Sequence, residues 1–112
     1  FVDFAFELSV IGARSRNGEI ALYDCPRNEH ENGILRRSTV PSGASEATVR
    51  MAADITRKLL EALDYIGVVG VEFFVLKNGT VAVNEFAPRV HNSGHWTTDA
   101  CAVSQFEQHI RA

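Results

Sequence analysis

The run Val68-Val69-Gly70-Val71-Glu72-Phe73-Phe74-Val75-Leu76 is almost wholly apolar and leads straight into Lys77-Asn78-Gly79-Thr80. A run this short and this rich in Val and Phe prefers a buried strand to a helix. Asn-Gly tolerates the left-handed backbone of a tight hairpin turn, so the chain doubles back here, with Thr80 to Glu85 as the returning strand. A two-residue Asn78-Gly79 loop sets Lys77 opposite Thr80 and, counting away from the turn on both sides, Glu72 opposite Glu85. A three-residue loop or a bulge would undo that register. Carboxylates so opposed stand about 4.5–5.5 Å apart at Cβ and repel, and Glu72 lies in an apolar run where a bare charge is costly to bury. With no basic residue near in sequence, the pair suits a hard divalent cation, Mg²⁺ or Mn²⁺. A solvent-facing pair at a sheet edge, or one neutralised by an arginine from elsewhere, satisfies the same pattern.

The rest of the chain supplies partners for this hairpin. Phe4, Phe6, Leu8 and Val10 alternate within Val2 to Arg14, which places them on one face of a strand. Asn17-Gly18 turns the chain and Glu19 to Asp24 returns it. Cys25 to Gly33 is polar, contains Pro26 and reads as a loop or irregular edge; Ile34 to Val40 reads as a short strand. Ser45 is a candidate N-cap for an amphipathic helix carrying Val49, Ala52, Thr56, Leu59 and Leu63 and ending near Gly67. Phe86 to Trp96 reads as a loop, with Trp96 as a core anchor, and Ser104-Gln105-Phe106-Glu107 as a capping box opening a last helix. The expected fold class is α+β, an antiparallel sheet with packed helices.

Composition narrows the function classes. The 112 residues are 46% hydrophobic and 22% charged, with mean hydropathy -0.05, which excludes disorder and low complexity. Eleven Lys+Arg against fourteen Asp+Glu, net -3, leave no electrostatic footprint for nucleic acid. No apolar run reaches the roughly 20 residues of a membrane helix, and no leader pattern opens the chain. Cys25 and Cys101 form no C-x-x-C and are expected as free thiols of a reducing, cytoplasmic protein. The chain opens on Phe1 and stops within the last helix, so it is expected to be part of a longer protein.

After Glu85 the chain reads Phe86-Ala87-Pro88-Arg89-Val90-His91-Asn92-Ser93-Gly94-His95-Trp96. Such a density of donors suits an anion: Arg89 offers a bidentate fork for carboxylate, bicarbonate or phosphate, and Asn92 and Ser93 add neutral donors. His91 and His95 are four apart, but Pro88 and Gly94 argue against a helix, so a zinc reading fails on context.

These residues resemble a known family. Asn84-Glu85-Phe86-Ala87-Pro88-Arg89-Val90-His91-Asn92-Ser93-Gly94-His95-Trp96-Thr97, followed by Ser104-Gln105-Phe106-Glu107-Gln108-His109, is similar to the signature of the N5-carboxyaminoimidazole ribonucleotide synthetases, ATP-grasp ligases of purine biosynthesis. Glu7-Leu8-Ser9-Val10, Asn28-Glu29-His30, Gly33-Ile34-Leu35-Arg36 and the apolar strand resemble the same family.

The resemblance implies that residues 1–112 are the C-terminal part of an ATP-grasp domain within a longer multidomain enzyme. It implies Glu72 and Glu85 as Mg²⁺ (or Mn²⁺) ligands, Asn84 and His30 on the ATP-phosphate side, and Arg89, His91 and Asn92 facing bicarbonate and the carboxyphosphate formed from it. Ala87 stands where many ATP-grasp enzymes carry an asparagine ligand, so water or phosphate oxygens would complete the metal shell. The implied partners are bicarbonate and 5-aminoimidazole ribonucleotide, with neither nucleic acid nor membrane, and a homodimer of the full-length enzyme is admitted. The fragment alone is expected to be inactive, since neither Lys58 nor Lys77 resembles the family's ATP-holding lysines. The rival readings are another ATP-grasp carboxylase-type ligase, against which the His-Asn-Ser-Gly-His segment argues, and a non-catalytic binding module.

Overall fold

The computed structural model describes residues 3–112. Among them six strands form one sheet in which all pairing is antiparallel: β1 (Phe6–Arg14), β2 (Ile20–Leu22), β3 (Arg27–Glu31), β4 (Ile34–Thr39), β5 (Gly67–Val75) and β6 (Val81–Ala87). Their order is β4-β3-β1-β5-β6, with β2 pairing a different stretch of β1. Helix α1 (Glu46–Ala62) crosses one face, and α2 (Thr97–Ala100) and α3 (Gln105–Arg111) follow the last strand. The α+β expectation holds.

Side-chain alternation sorts the two faces. Leu8 and Val10 of β1 and Val69, Val71, Phe73 and Val75 of β5 form the main core with Ala52 and Leu60 of α1. Each large side chain so buried contributes about 1.5–3 kcal/mol. The Ser45 hydroxyl caps α1 by accepting from the Thr48 N–H at 3.2 Å, as the sequence predicts. The Thr48 hydroxyl then donates to the Gly79 carbonyl at 2.7 Å, tying the first helical turn to the β5–β6 loop. The buried stripe of α1 is Thr48, Ala52, Thr56 and Leu60. Leu63, expected on that stripe, is the C-cap and is 55% exposed, because the helix ends four residues short of Gly67.

Three expectations are corrected. Phe4 stands outside β1, stacked on Phe74 at 4.5 Å, and Val2 lies outside the described residues. Residues 25–33, expected as a loop or irregular edge, hold a strand: Arg27–Glu31 is β3, with an irregular step at Glu29/His30, joined to β4 through Asn32-Gly33, whose φ values of 52° and 77° make the two-residue hairpin turn that Asn-Gly favours. Phe86 and Ala87 belong to β6 rather than to the following loop.

The β5–β6 register is the finding that matters for function. The Leu76 N–H donates to the Thr80 carbonyl at 2.8 Å, enclosing a three-residue loop, Lys77-Asn78-Gly79, rather than the expected two. From that closure Val75, Phe74 and Phe73 face Val81, Ala82 and Val83. Continued regularly, this would set Glu72 against Asn84 and turn Glu85 towards α1. A bulge intervenes, Asn84 is left unpaired, and Glu72 faces Glu85 after all. Loop and bulge each shift the register by one residue, and the two shifts cancel.

Candidate functional site

The face of the sheet away from α1 is apolar at one end, where Ile11, Ala13 and Val68 pack with Tyr23 and Val90. At the other end it is polar. Glu7 on β1, His30 on β3, Glu72 on β5 and Asn84 and Glu85 on β6 line a cleft of about 680 Å³. Arg89, His91, Asn92 and His95 complete its wall from the segment after β6. All seven residues singled out in the sequence, Glu72, Glu85, Asn84, His30, Arg89, His91 and Asn92, thus lie around one cavity. The bulge explains how adjacent Asn84 and Glu85 both reach it, since a regular strand sends neighbours to opposite faces.

Glu72 is the centre of the cluster. It is 8% exposed, with one carboxylate oxygen 3.5 Å from His91 Nε2 and 3.8 Å from His30 Nε2. His30 Nδ1 lies 2.9 Å from Glu7, so this imidazole bridges two carboxylates. Burial, a side-chain hydrogen bond with Glu85 and the Glu85 charge push the Glu72 carboxyl above the usual carboxylate range, against a weaker pull from His30. A hard cation fits this donor set: two carboxylates converge, one of them destabilised as an anion, and a divalent charge relieves both. Donor atoms of Glu72, Glu85 and His91 all lie within 4.8 Å of one another.

His91 is seated with care. A Cβ placed on Gly70 would lie 2.5 Å from His91 Cβ and 2.8 Å from its Cγ, so only glycine lets the imidazole lie this close to β5. The Ser93 N–H points at Nδ1 from 3.2 Å. A backbone N–H can only donate, so Nδ1 is the acceptor and the neutral ring carries its proton on Nε2, facing Glu72. Burial holds His91 below the usual imidazole value, with Glu85 opposing and Arg89 reinforcing the shift. His91 therefore presents a neutral N–H donor to the cleft. Arg89 is exposed; its guanidinium donates to the Val90 carbonyl at 3.0 Å and, among the described residues, pairs with no carboxylate. His95 stacks on Phe106 with ring centres 5.6 Å apart.

A family model described as the ATP-grasp domain matches residues 1–106. The chain belongs to the ATP-grasp family. It is 62% identical over 112 residues to the N5-carboxyaminoimidazole ribonucleotide synthase of Brucella melitensis, spanning 100% of this chain and 31% of that protein. The crystal structure of N5-carboxyaminoimidazole ribonucleotide synthetase from Thermus thermophilus superposes with a TM-score of 0.95 at 49% identity, covering 100% of this chain and 31% of that one. The Aspergillus clavatus synthase, solved in complex with ADP and 5-aminoimidazole ribonucleotide, gives 0.94 at 36% identity, with 100% and 30% covered. The chain thus spans about a third of the length of the relatives it matches.

Several features of this ATP-grasp cleft escape a reading of the sequence. Glu7 stands in the family-like run Glu7-Leu8-Ser9-Val10 with no role attached; parity places it on the polar face, opposite Asn28. Gly33 and Leu35 enter the lining because Asn32-Gly33 turns β3 into β4, a third Asn-Gly signal in the chain. Gln105, fully buried at the start of α3, has no local signal at all. Trp96, expected as a core anchor, is half-buried and meets Tyr23 edge-on at 6.3 Å. His109 accepts from the Val68 N–H at 2.9 Å, so its ring is satisfied away from the cleft.

Proposed function

We propose that this chain is the C-terminal part of the ATP-grasp domain of a ligase that carboxylates 5-aminoimidazole ribonucleotide with bicarbonate at the expense of ATP, giving N5-carboxyaminoimidazole ribonucleotide in the cytoplasm. The observation that carries the reading is the meeting, in one cleft, of the Glu72–Glu85 pair and the Arg89-His91-Asn92 segment. Similarity to the synthases over the whole chain supports the choice of substrate among ATP-grasp ligases.

The residues divide the work by their chemistry. Glu72 and Glu85 would hold Mg²⁺ or Mn²⁺, which when bound neutralises charge on the terminal phosphates of ATP. Asn84, carried into the cleft by the bulge, and His30, held by Glu7, would face those phosphates; both line the same cleft as the carboxylate pair. Arg89 offers bicarbonate two parallel N–H donors. Asn92 and the neutral Nε2–H of His91 add donors that fix its orientation without a proton transfer. A bicarbonate oxygen attacks the γ-phosphorus as the bond to ADP breaks, giving carboxyphosphate. The substrate amine then takes the carboxyl carbon, phosphate departs and the amine loses a proton. Arg89 remains paired with the migrating charge throughout.

The test uses a protein in which this chain is completed to the length of its relatives. Glu72→Gln and Glu85→Gln should each weaken Mg-nucleotide binding at least tenfold, and ADP release should require bicarbonate. Undiminished nucleotide affinity in either variant would remove the metal assignment, and carboxylation of a different acceptor would remove the substrate. The chain by itself, a third of its relatives' length, should hydrolyse no ATP in response to bicarbonate.

A further inference from the structure

We propose that Gln105 is the positioning residue for His91. The inference rests on the reading of this cleft as the bicarbonate half of a ligase site, and it concerns a residue that does not itself line the cleft.

Gln105 is the first residue of α3 and is fully buried. Its side-chain amide is spent entirely on the main chain of one residue: Oε1 accepts from the His91 N–H at 2.9 Å, and Nε2 donates to the His91 carbonyl at 2.7 Å. This is the donor-and-acceptor exchange of a strand pair, made by a side chain. A neutral primary amide is the group that can do both at once, and asparagine is a methylene too short. Gln105 is itself anchored, because its N–H donates to the Thr97 hydroxyl at 2.9 Å and that hydroxyl donates to the Gly94 carbonyl at 2.7 Å. Gln105 thus holds the segment after β6 at His91 and Thr97, and the Thr97 hydroxyl carries the tie on to Gly94. Glu72, Asn84 and Glu85, by contrast, are carried by the β5–β6 hairpin.

The consequence is a division of labour that kinetics can read. Loss of the amide frees the His91 backbone, and with it the ring that Gly70 and Ser93 seat against Glu72. The carboxylate pair keeps its place. Misplacement of a reacting-site group by about 1 Å costs about 10²-fold in rate.

The experiment compares parent and Gln105→Met in the protein completed to its relatives' length, because methionine keeps the length and removes both bonds. Expected are a fall in kcat of at least tenfold, a Kd for Mg-ADP within twofold of the parent, and movement of the His91 ring signals in 15N-histidine NMR towards the averaged tautomers of free imidazole. Thr97→Val, which deletes only the anchoring hydroxyl, should give the same pattern in weaker form, and Thr97→Ser should restore it. Should Gln105→Met not fold, the Thr97 pair gives the same readouts. The proposal is overturned if kcat and Mg-ADP affinity fall together in proportion to the loss of folded protein, or if the His91 signals do not move. If the parent shows no bicarbonate-dependent turnover, the functional reading fails, while the NMR comparison still decides the positioning claim.

Discussion

Gly70→Ala should separate stability from activity. The added Cβ would sit 2.5 Å from His91 Cβ and 2.8 Å from Cγ, where carbon atoms ordinarily rest about 3.5–4.0 Å apart. The imidazole must retreat by about 1 Å, and it cannot escape by a rotamer change, since the clash is with its own Cβ. Two effects on stability oppose each other. Gly70 sits within β5 outside the positive-φ set, so alanine reduces the entropy of the unfolded chain and stabilises by about 0.4–1 kcal/mol. Overpacking costs about 1–3 kcal/mol. The net loss is on the order of 1–2 kcal/mol, which leaves the protein folded. On the proposed role of His91 activity has no such offset, because a displacement of about 1 Å at a reacting centre costs about 10²-fold. In the protein completed to its relatives' length, steady-state kinetics of bicarbonate-dependent ADP release, beside urea unfolding of the same preparation, should therefore show a rate loss far larger than the change in folded fraction. A variant within twofold of the parent kcat would refute the claim that the Gly70 contact sets His91.

Two further outcomes follow from local geometry. Burial, helped by Asp24, pushes the Cys25 thiol up to about 11, so the folded chain keeps a proton that the unfolded chain loses from about pH 8.5. Stability that is present below pH 8.5 should decline by roughly 2–3 kcal/mol between there and pH 11, and Cys25→Ala should lack this part of the slope in urea titrations; superimposable profiles would sink the assignment. Gly33 adopts φ +77° with nothing within 4 Å of a built Cβ, so Gly33→Ala should cost about 1–2 kcal/mol through backbone strain alone, read as a lower urea midpoint at unchanged m; an unshifted midpoint would contradict that conformation.

Local signals were legible where one element decides them. The apolar β5 run, the Ser45 cap and the Asn78-Gly79 reversal are all present, because short-range chemistry and tertiary packing agree there. Glu72 and Glu85 face each other as the Asn-Gly turn predicts, but by way of a longer loop and a compensating bulge. Neither the length of the loop nor a bulge at Asn84 is written in residue type, and the pairing survives because the two shifts have opposite sense. The β3–β4 hairpin lies behind Pro26 and the charged run Glu29-His30-Glu31 although Asn32-Gly33 announces it: β3 meets β1 only at Arg27 and Asn28, and the residues beyond pair with β4 alone, where Glu29 and Glu31 stay exposed. Leu60 rather than Leu63 is buried because Asp64 turns left-handed at φ 50° and stops the helix, with Arg14 paired to it at 2.9 Å. The contact between Gly70 and His91 and the grip of Gln105 join residues 21 and 14 apart, beyond the reach of any periodicity.

The bulge at Asn84 also bears on how densely a sheet can be furnished with donors. A regular strand offers one side chain to a given face about every 7 Å, and neighbouring strands lie about 4.8 Å apart. That grid is too coarse to crowd several donors around a single small ion and the phosphates beside it. By admitting one uncounted residue, β6 sets a carboxamide and a carboxylate side by side on the same face at the spacing of adjacent residues. Excising Asn84 would leave every remaining facing pair intact, Glu72 and Glu85 included. The extra residue is thus an addition to the surface rather than part of the scaffold, a place where donors can be gained or lost without renumbering the fold.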